Sequence, residues 1–234
     1  MRYYGSILGY IWSLLKPLAL FGVLYIVFTV VMKQNSPHYK LFLLLGIILW
    51  DFFLQGTNAG MNALISNYNI IRKVYLPRVV LVAAAVSSAF IGLFFNLLVF
   101  FVFAIIDDVT WTWKMLWFLP LLLALYLLVM GIALILSIIV VKVRDTITLW
   151  EVALQLGFWM TPIMYPMSFV PEKWRFIVFI NPISGILEYS RYVLIGLGGL
   201  TKIGYCYVLG ISCLVFLAGL LVFNTKEGEM VEEL

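Results

Sequence analysis

Six long runs of apolar residues set the pattern of this chain, at 14–32, 41–60, 79–106, 115–141, 149–165 and 203–223, with the polar and charged residues gathered between them. A helix rises about 1.5 Å per residue and needs roughly 20 apolar residues to cross a ~30 Å hydrocarbon core, so each run predicts one membrane span. The fifth run is interrupted. It ends in Thr161-Pro162-Ile163-Met164-Tyr165-Pro166, and a half-polar piece, 169–179, then stops at Asn181-Pro182. Proline removes a backbone donor and ends a helix, so a broken span followed by a segment too short to cross predicts a re-entrant or interfacial element. Glu172, Lys173 and Arg175 give that piece a wet face, Trp174, Phe176, Ile177 and Phe179 an apolar one, and 183–195 predicts a second short helix. The two would form a gate at one mouth or, on the other reading, a linker lying on the surface. The expected fold is all-α and integral to the membrane, one domain of six spans over 1–234.

Composition excludes a soluble domain. Hydrophobic residues make up 65% of the chain, charged residues 11%, and mean hydropathy is +1.10, whereas a soluble domain carries about a quarter charged residues. A pI near 9.0 would suggest nucleic acid in a soluble protein, but here the basic residues sit in the short gaps, where they orient a membrane protein instead. The 61–78 gap carries Arg72, Lys73 and Arg78 without an acid, and Lys142 and Arg144 fall in the next gap on that side. Asp107 and Asp108 face a single Lys114 in the gap between, which the positive-inside rule places outside, so both termini are expected in the cytoplasm. Trp111, Trp113 and Trp117 read as an interfacial belt. Lys16 and Pro17 interrupt the apolar core that a cleaved signal would need, so the N-terminal run is expected to be retained. Cys206 and Cys213 share one apolar run about 10 Å apart along a helix, too far for a disulfide.

Candidate chemistry is sparse. No Gly-rich loop ending in Gly-Lys-Ser/Thr and no metal-ligand cluster occurs, and His38, beside Pro37, reads as a solvated loop residue. The intramembrane acids are as sparse: Asp51 and Glu151, expected near helix edges, and Glu188 in the external segment; an ion-driven carrier needs more, so energy is expected from a cytoplasmic motor subunit. The 62–77 stretch places Leu64, Ile65, Tyr68, Ile71 and Tyr75 near helical spacing with Pro77 as a stop, which fits a short amphipathic helix under the membrane. It reads either as a plain basic loop that fixes topology or as a docking helix for a soluble partner. Trp50, Phe52, Phe53, Phe158, Trp159 and Tyr165 lie near the ends of the second and fifth runs, where they form either a stacking path for sugar rings or a lipid-facing belt; Trp159 and Tyr165, beside Pro162, are the candidates for a channel.

Taken together, Arg2-Tyr3, Ser6, Leu8-Gly9, Trp12-Ser13-Leu14-Leu15 and Pro17 at the start, Asn69-Ile70-Ile71-Arg72-Lys73-Val74-Tyr75-Leu76-Pro77-Arg78, Arg144-Asp145, the Thr161–Pro166 break and Asn181-Pro182 resemble the ABC-2 type permease family. Within it they look like the exporters of lipid-linked O-antigen, capsule or teichoic acid. The resemblance implies a permease without ATPase activity of its own, in the bacterial inner (cytoplasmic) membrane. It would pair with a second copy of itself and with two copies of an ABC ATPase that bind ATP and Mg, leaving this chain without a cofactor, a metal or a nucleic-acid partner. It implies that 62–77 is the ATPase-coupling helix, using Asn62, Leu64, Ile65, Asn69, Arg72, Lys73, Tyr75 and Pro77. Arg2, Tyr3, Ser6 and Trp12 would stand at the gate helix near the diphosphate of the incoming glycan, although Arg2 also fits a plain topology anchor. Arg144 and Asp145 would mark the cytoplasmic entrance, and Trp159, Pro162, Tyr165, Pro166, Asn181 and Pro182 the channel and outer gate. Family members usually carry an amphipathic stretch before the Arg-Tyr motif, whereas this sequence begins at Met1-Arg2. A drug or antibiotic efflux permease of the same superfamily is the alternative.

Overall fold

The structure, a computed structural model, describes residues 8–31, 38–71, 77–199 and 201–226. Among them every regular element is helical. Helix α1 is Leu8–Ile26 and continues as a wider turn, Val27–Val31; α2 is Tyr39–Met61, followed by the single turns α3, Ala63–Ser66, and α4, Tyr68–Ile71. Then come α5, Arg78–Ile106, a 3-10 turn at Trp113–Trp117 leading into α6, Phe118–Lys142, and α7, Thr146–Met160. Two short helices, α8 at Glu172–Ile180 and α9 at Pro182–Ile195, precede α10, Lys202–Lys226.

Among the described residues, four helical segments are long and apolar enough to cross a bilayer: Tyr39–Met61, Arg78–Ile106, Trp113–Lys142 and Lys202–Lys226. The first and fifth expected spans differ from these. Of the first, Leu15–Thr29 is the apolar part within the described side chains of a helix that starts at Leu8 and runs on to Val31, and the fifth ends after 15 residues at Met160. The cause of that ending is local. Thr161 is extended (φ −83°, ψ 137°), the conformation imposed on a residue before proline, and Pro162 cannot continue the ladder.

Helix α2 forms the core. The run from Leu41 to Leu49 is buried all round, as a helix enclosed by neighbours must be, with α5 and α6 on two sides and α1 on a third. Helix α10 lies along α6, and the two backbones touch where they cross. A Cβ on Gly131 would stand 2.5 Å from the Val215 carbonyl oxygen, and one on Gly219 would stand 2.5 Å from the Gly131 oxygen. In lipid no hydrophobic force drives helices together, so such close packing contributes directly to their association.

The loops at one end are tied by charge. His38 Nδ1 donates to Asp107 Oδ2 at 2.8 Å and Lys40 Nζ pairs with Asp107 Oδ1 at 2.5 Å. His38 is therefore a partner of the loop after α5, which corrects its reading as a solvated residue: the fold brings together two loops 69 positions apart. Partial burial raises the Asp107 pKa, but the hydrogen bonds and charges of Lys40 and His38 outweigh it and hold the carboxyl below the usual range.

Two outcomes follow from this packing. Gly131→Val is expected to destabilise the helix pair by about 1–3 kcal/mol or more, because backbone, unlike a side-chain tip, cannot yield; the thermal midpoint of the detergent-solubilised protein measures it, and an unchanged midpoint would contradict the contact. The Asp107 tie should be complete at neutral pH and be lost as pH falls from the ordinary carboxylate value of about 4 through the lower folded value, since only the charged form is favoured in the fold. Asp107→Asn should flatten that acid limb of the stability profile.

Candidate functional site

Helices α1, α2 and α7 enclose a groove of about 500 Å³. Helical spacing brings its lining to one face of each helix: Glu151, Gln155, Phe158 and Trp159 on α7, and Trp50, Asp51, Leu54 and Asn58 on α2, with Lys16 and Leu20 from α1. Asp51 lies midway along α2, which runs unbroken from Tyr39 to Met61, and not at the helix edge where it was expected. Gln55 Nε2 donates to Asp51 Oδ2 at 2.6 Å and orients the carboxylate. Aromatic rings cover the groove toward the Pro162 break. Trp50 meets Phe158 edge-on at 6.0 Å, Phe158 meets Trp159 at 5.7 Å, and Gly157 leaves room for the Trp50 indole, whose Cη2 lies 3.0 Å from where a Cβ would be. The arrangement offers hydrogen-bonding groups and flat apolar faces side by side, the chemistry that a sugar ring presents.

Above the groove the break is held by a buried arginine. Arg191, on α9, has no exposed surface, and its guanidinium donates to three backbone oxygens: Nη1 to Pro162 at 2.6 Å, Nη2 to Ile163 at 2.7 Å and Nε to Phe42 at 3.2 Å. Its carbon stands 3.4 Å from the Phe42 ring centre. Gly46 admits the group, since a Cβ there would lie 2.6 Å from Nη2. Tyr39 adds a bond from its hydroxyl to the Met164 oxygen at 2.7 Å, and Asn181 Nδ2 donates to Thr161 Oγ1 at 3.1 Å while its Oδ1 caps α9 by accepting from the Ile183 amide. Carbonyls freed by Pro162 thus find donors on α2 and α9, as buried backbone at membrane depth must.

The predicted residues fall in different places. Trp159 lines the groove and is 61% exposed; Tyr165 does not line it, and its hydroxyl instead donates back to the Trp159 and Met160 oxygens at 3.3 and 3.2 Å. Phe52 and Phe53 pack in the interior, on Phe90 and on Trp50 and Trp150. Pro162, Pro166, Asn181 and Pro182 belong to the clasped segment and the start of α9. Arg144 and Asp145 form the turn between α6 and α7. The 62–77 stretch is not one continuous helix in the described residues. It breaks at Asn67, whose side chain donates to the Ala63 oxygen at 2.8 Å in place of a helical amide, and Leu64 is fully buried in the chain's own core while Asn69 is exposed. Asn62 bonds back to Asn58, Ile65 is half-buried and Pro77 is exposed. Arg2, Tyr3, Ser6, Arg72, Lys73 and Tyr75 lie outside the described residues; the backbone of Trp12 belongs to α1, but its side chain lies outside them.

Sequence reasoning gave Lys16, Asn58, Gln155 and Arg191 no part in a site. An arginine in a helix otherwise rich in small and apolar residues was a usable signal for the last of these, and Gly46 within the apolar second run was its counterpart.

Residues 1–195 match the family model described as ABC-2 type transporter. A Klebsiella pneumoniae protein named O-antigen export system permease protein RfbA is 28% identical over 234 residues, 99% of this chain and 90% of that protein. A second K. pneumoniae protein of the same name is 29% identical over the same extent, and one from Myxococcus xanthus is 29% identical over 172 residues, 74% of this chain and 66% of its own length.

Arg191→Met should strand the buried Pro162 and Ile163 carbonyls at about 1–3 kcal/mol each, since Phe42 keeps its helical amide, and this is enough to loosen the segment even with partial relaxation. Arg191→Lys, a point donor lacking the fork, should recover only part of that loss. Thermal midpoints of the three proteins measure the order wild type, lysine, methionine, and a methionine variant as stable as wild type would refute the clasp.

Proposed function

We propose that this chain, which belongs to the ABC-2 type transporter family, is the membrane permease of an exporter that carries an O-antigen type, lipid-linked glycan across the bacterial inner membrane. One observation carries the reading. The α1–α2–α7 groove places Lys16, Asp51 and Glu151 beside aromatic rings on a face that α7 covers only thinly. Charged groups at such depth are expensive against lipid tails, so the face belongs to a wet path. Aromatic planes let a polymer of sugars slide without strong specificity, and amide and carboxylate groups exchange hydrogen bonds with its hydroxyls as it moves. The relatives named for O-antigen export favour this cargo over the drug-efflux alternative.

On this reading a second copy of the chain faces the groove and completes the path. Leu149, Val152, Leu156 and Met160 present an apolar, exposed edge of α7 suited to such a neighbour. Two copies of a separate ATPase, holding ATP and Mg, would supply the energy and seat near 62–77, with Arg72 and Lys73 flanking the contact. The first helix and the short fifth would complete a set of six spans, with both termini in the cytoplasm and the clasped break at the outer mouth. Arg2, Tyr3, Ser6 and Trp12 would stand where the lipid diphosphate enters.

Removal of the chain from its cell should abolish surface glycan and leave lipid-linked glycan trapped inside, read by gel analysis of the cell envelope. Restoring the wild-type chain should reverse both. Trp159→Ala should cut export by on the order of tenfold at normal protein level, the scale of one lost stacking contact of about 1–3 kcal/mol. Deletion that changes neither glycan pool would overturn the exporter reading.

A further inference from the structure

The charge in the groove is unbalanced. Of its lining residues only Lys16, Asp51 and Glu151 carry charge, one cation against two carboxylates. Asp51 is held by Gln55, a neutral donor, and among the described residues neither carboxylate lies within ion-pair distance of a base; Lys16 acts on Asp51 only through space. The remaining polar lining, Asn58 and Gln155, is neutral. Two facing copies would double the excess.

We propose that this groove selects an uncharged glycan over a polyanionic one, with Asp51 and Glu151 as the residues that set the preference. The proposal rests on the exporter reading and narrows its substrate. Carboxylates only accept hydrogen bonds, and sugar hydroxyls donate them, so an uncharged chain satisfies Asp51 and Glu151 at every step. A polymer with a phosphodiester or a carboxylate in each repeat brings acceptor against acceptor and negative against negative charge. Low-dielectric walls strengthen that repulsion, as acidic rings do in pores that reject anions. Lys16 offsets one of the two carboxylates and serves as the donor that a hydroxyl oxygen meets.

The test uses cells lacking their own permease and supplied with this chain and its ATPase. One strain makes a lipid-linked neutral hexose homopolymer, and another makes a polymer with a phosphodiester in each repeat on the same lipid. Surface and intracellular glycan are measured in both. The expected result is export of the neutral polymer at least about tenfold more efficiently than of the anionic one. Asp51→Asn with Glu151→Gln should move the anionic-to-neutral ratio toward one, and Gln155→Lys should move it the same way. Because the ATPase is constant, a changed ratio is set in the groove, and immunoblots of the membrane fraction confirm the variants are present. Glu151→Gln alone, at an exposed position, guards against loss of the double variant through misfolding. Equal export of both polymers by the wild type, or a ratio unmoved by every substitution, overturns the charge selection while leaving the exporter reading intact. Export of neither polymer overturns both.

Discussion

One end of this protein depends on one guanidinium. A helix broken inside a membrane frees carbonyl oxygens that water cannot reach, and each is costly to leave without a donor. Arg191 answers with a fork that reaches Pro162, Ile163 and Phe42 together, and the Phe42 ring lies beneath it. Burying the charge is tolerable because its donors meet concentrated carbonyl dipoles in place of water. The consequence is mechanical as well as energetic. The unwound segment, the start of α2 and the middle of α9 become one piece, and the upper boundary of the groove is fixed by it.

Below that piece the chain is built in two grades of packing. Helices α2, α5, α6 and α10 form a block in which α6 and α10 meet backbone on backbone at Gly131 and Gly219. Helix α7 is held differently. It buries only Thr146 and Leu154 and is tethered by the Trp150 indole, which donates to Thr57 Oγ1 at 3.1 Å, and by the clasped residues beyond Met160. A groove wall fastened at its two ends and lightly packed between them is the part of the fold with the most freedom to respond to a bulky cargo.

Much of this was legible in the sequence. Long apolar runs fixed four spans, and Pro162 and the Asn181-Pro182 pair marked the break and the capped start of α9, because proline and asparagine act locally. What escaped depended on contacts far along the chain. Arg191 looked like one more external charge, since nothing within 20 positions of it shows that Phe42 lies against it. His38 looked solvated because Asp107 is remote in sequence, and Asp51 was expected at a helix edge although its apolar run, 41–60, already puts it near the middle. The 62–77 stretch had a helical pattern of apolar residues, but Asn67 competes for the backbone and splits it, a local effect that periodicity alone does not weigh.

The shortness of α7 reaches beyond the protein. At about 1.5 Å per residue its 15 residues extend roughly 22 Å, well under the ~30 Å of an average hydrocarbon core. Where the edge of a seam between two copies meets lipid, the bilayer would have to compress or admit headgroups to meet the polar ends of the helix. The bilayer would thereby be thinned at the edge of the proposed seam, and a hydrophilic passenger there would have less oil to cross. Acyl-chain length in the host membrane thus becomes a partner of the protein, tuning from outside a barrier that the fold has already lowered from within.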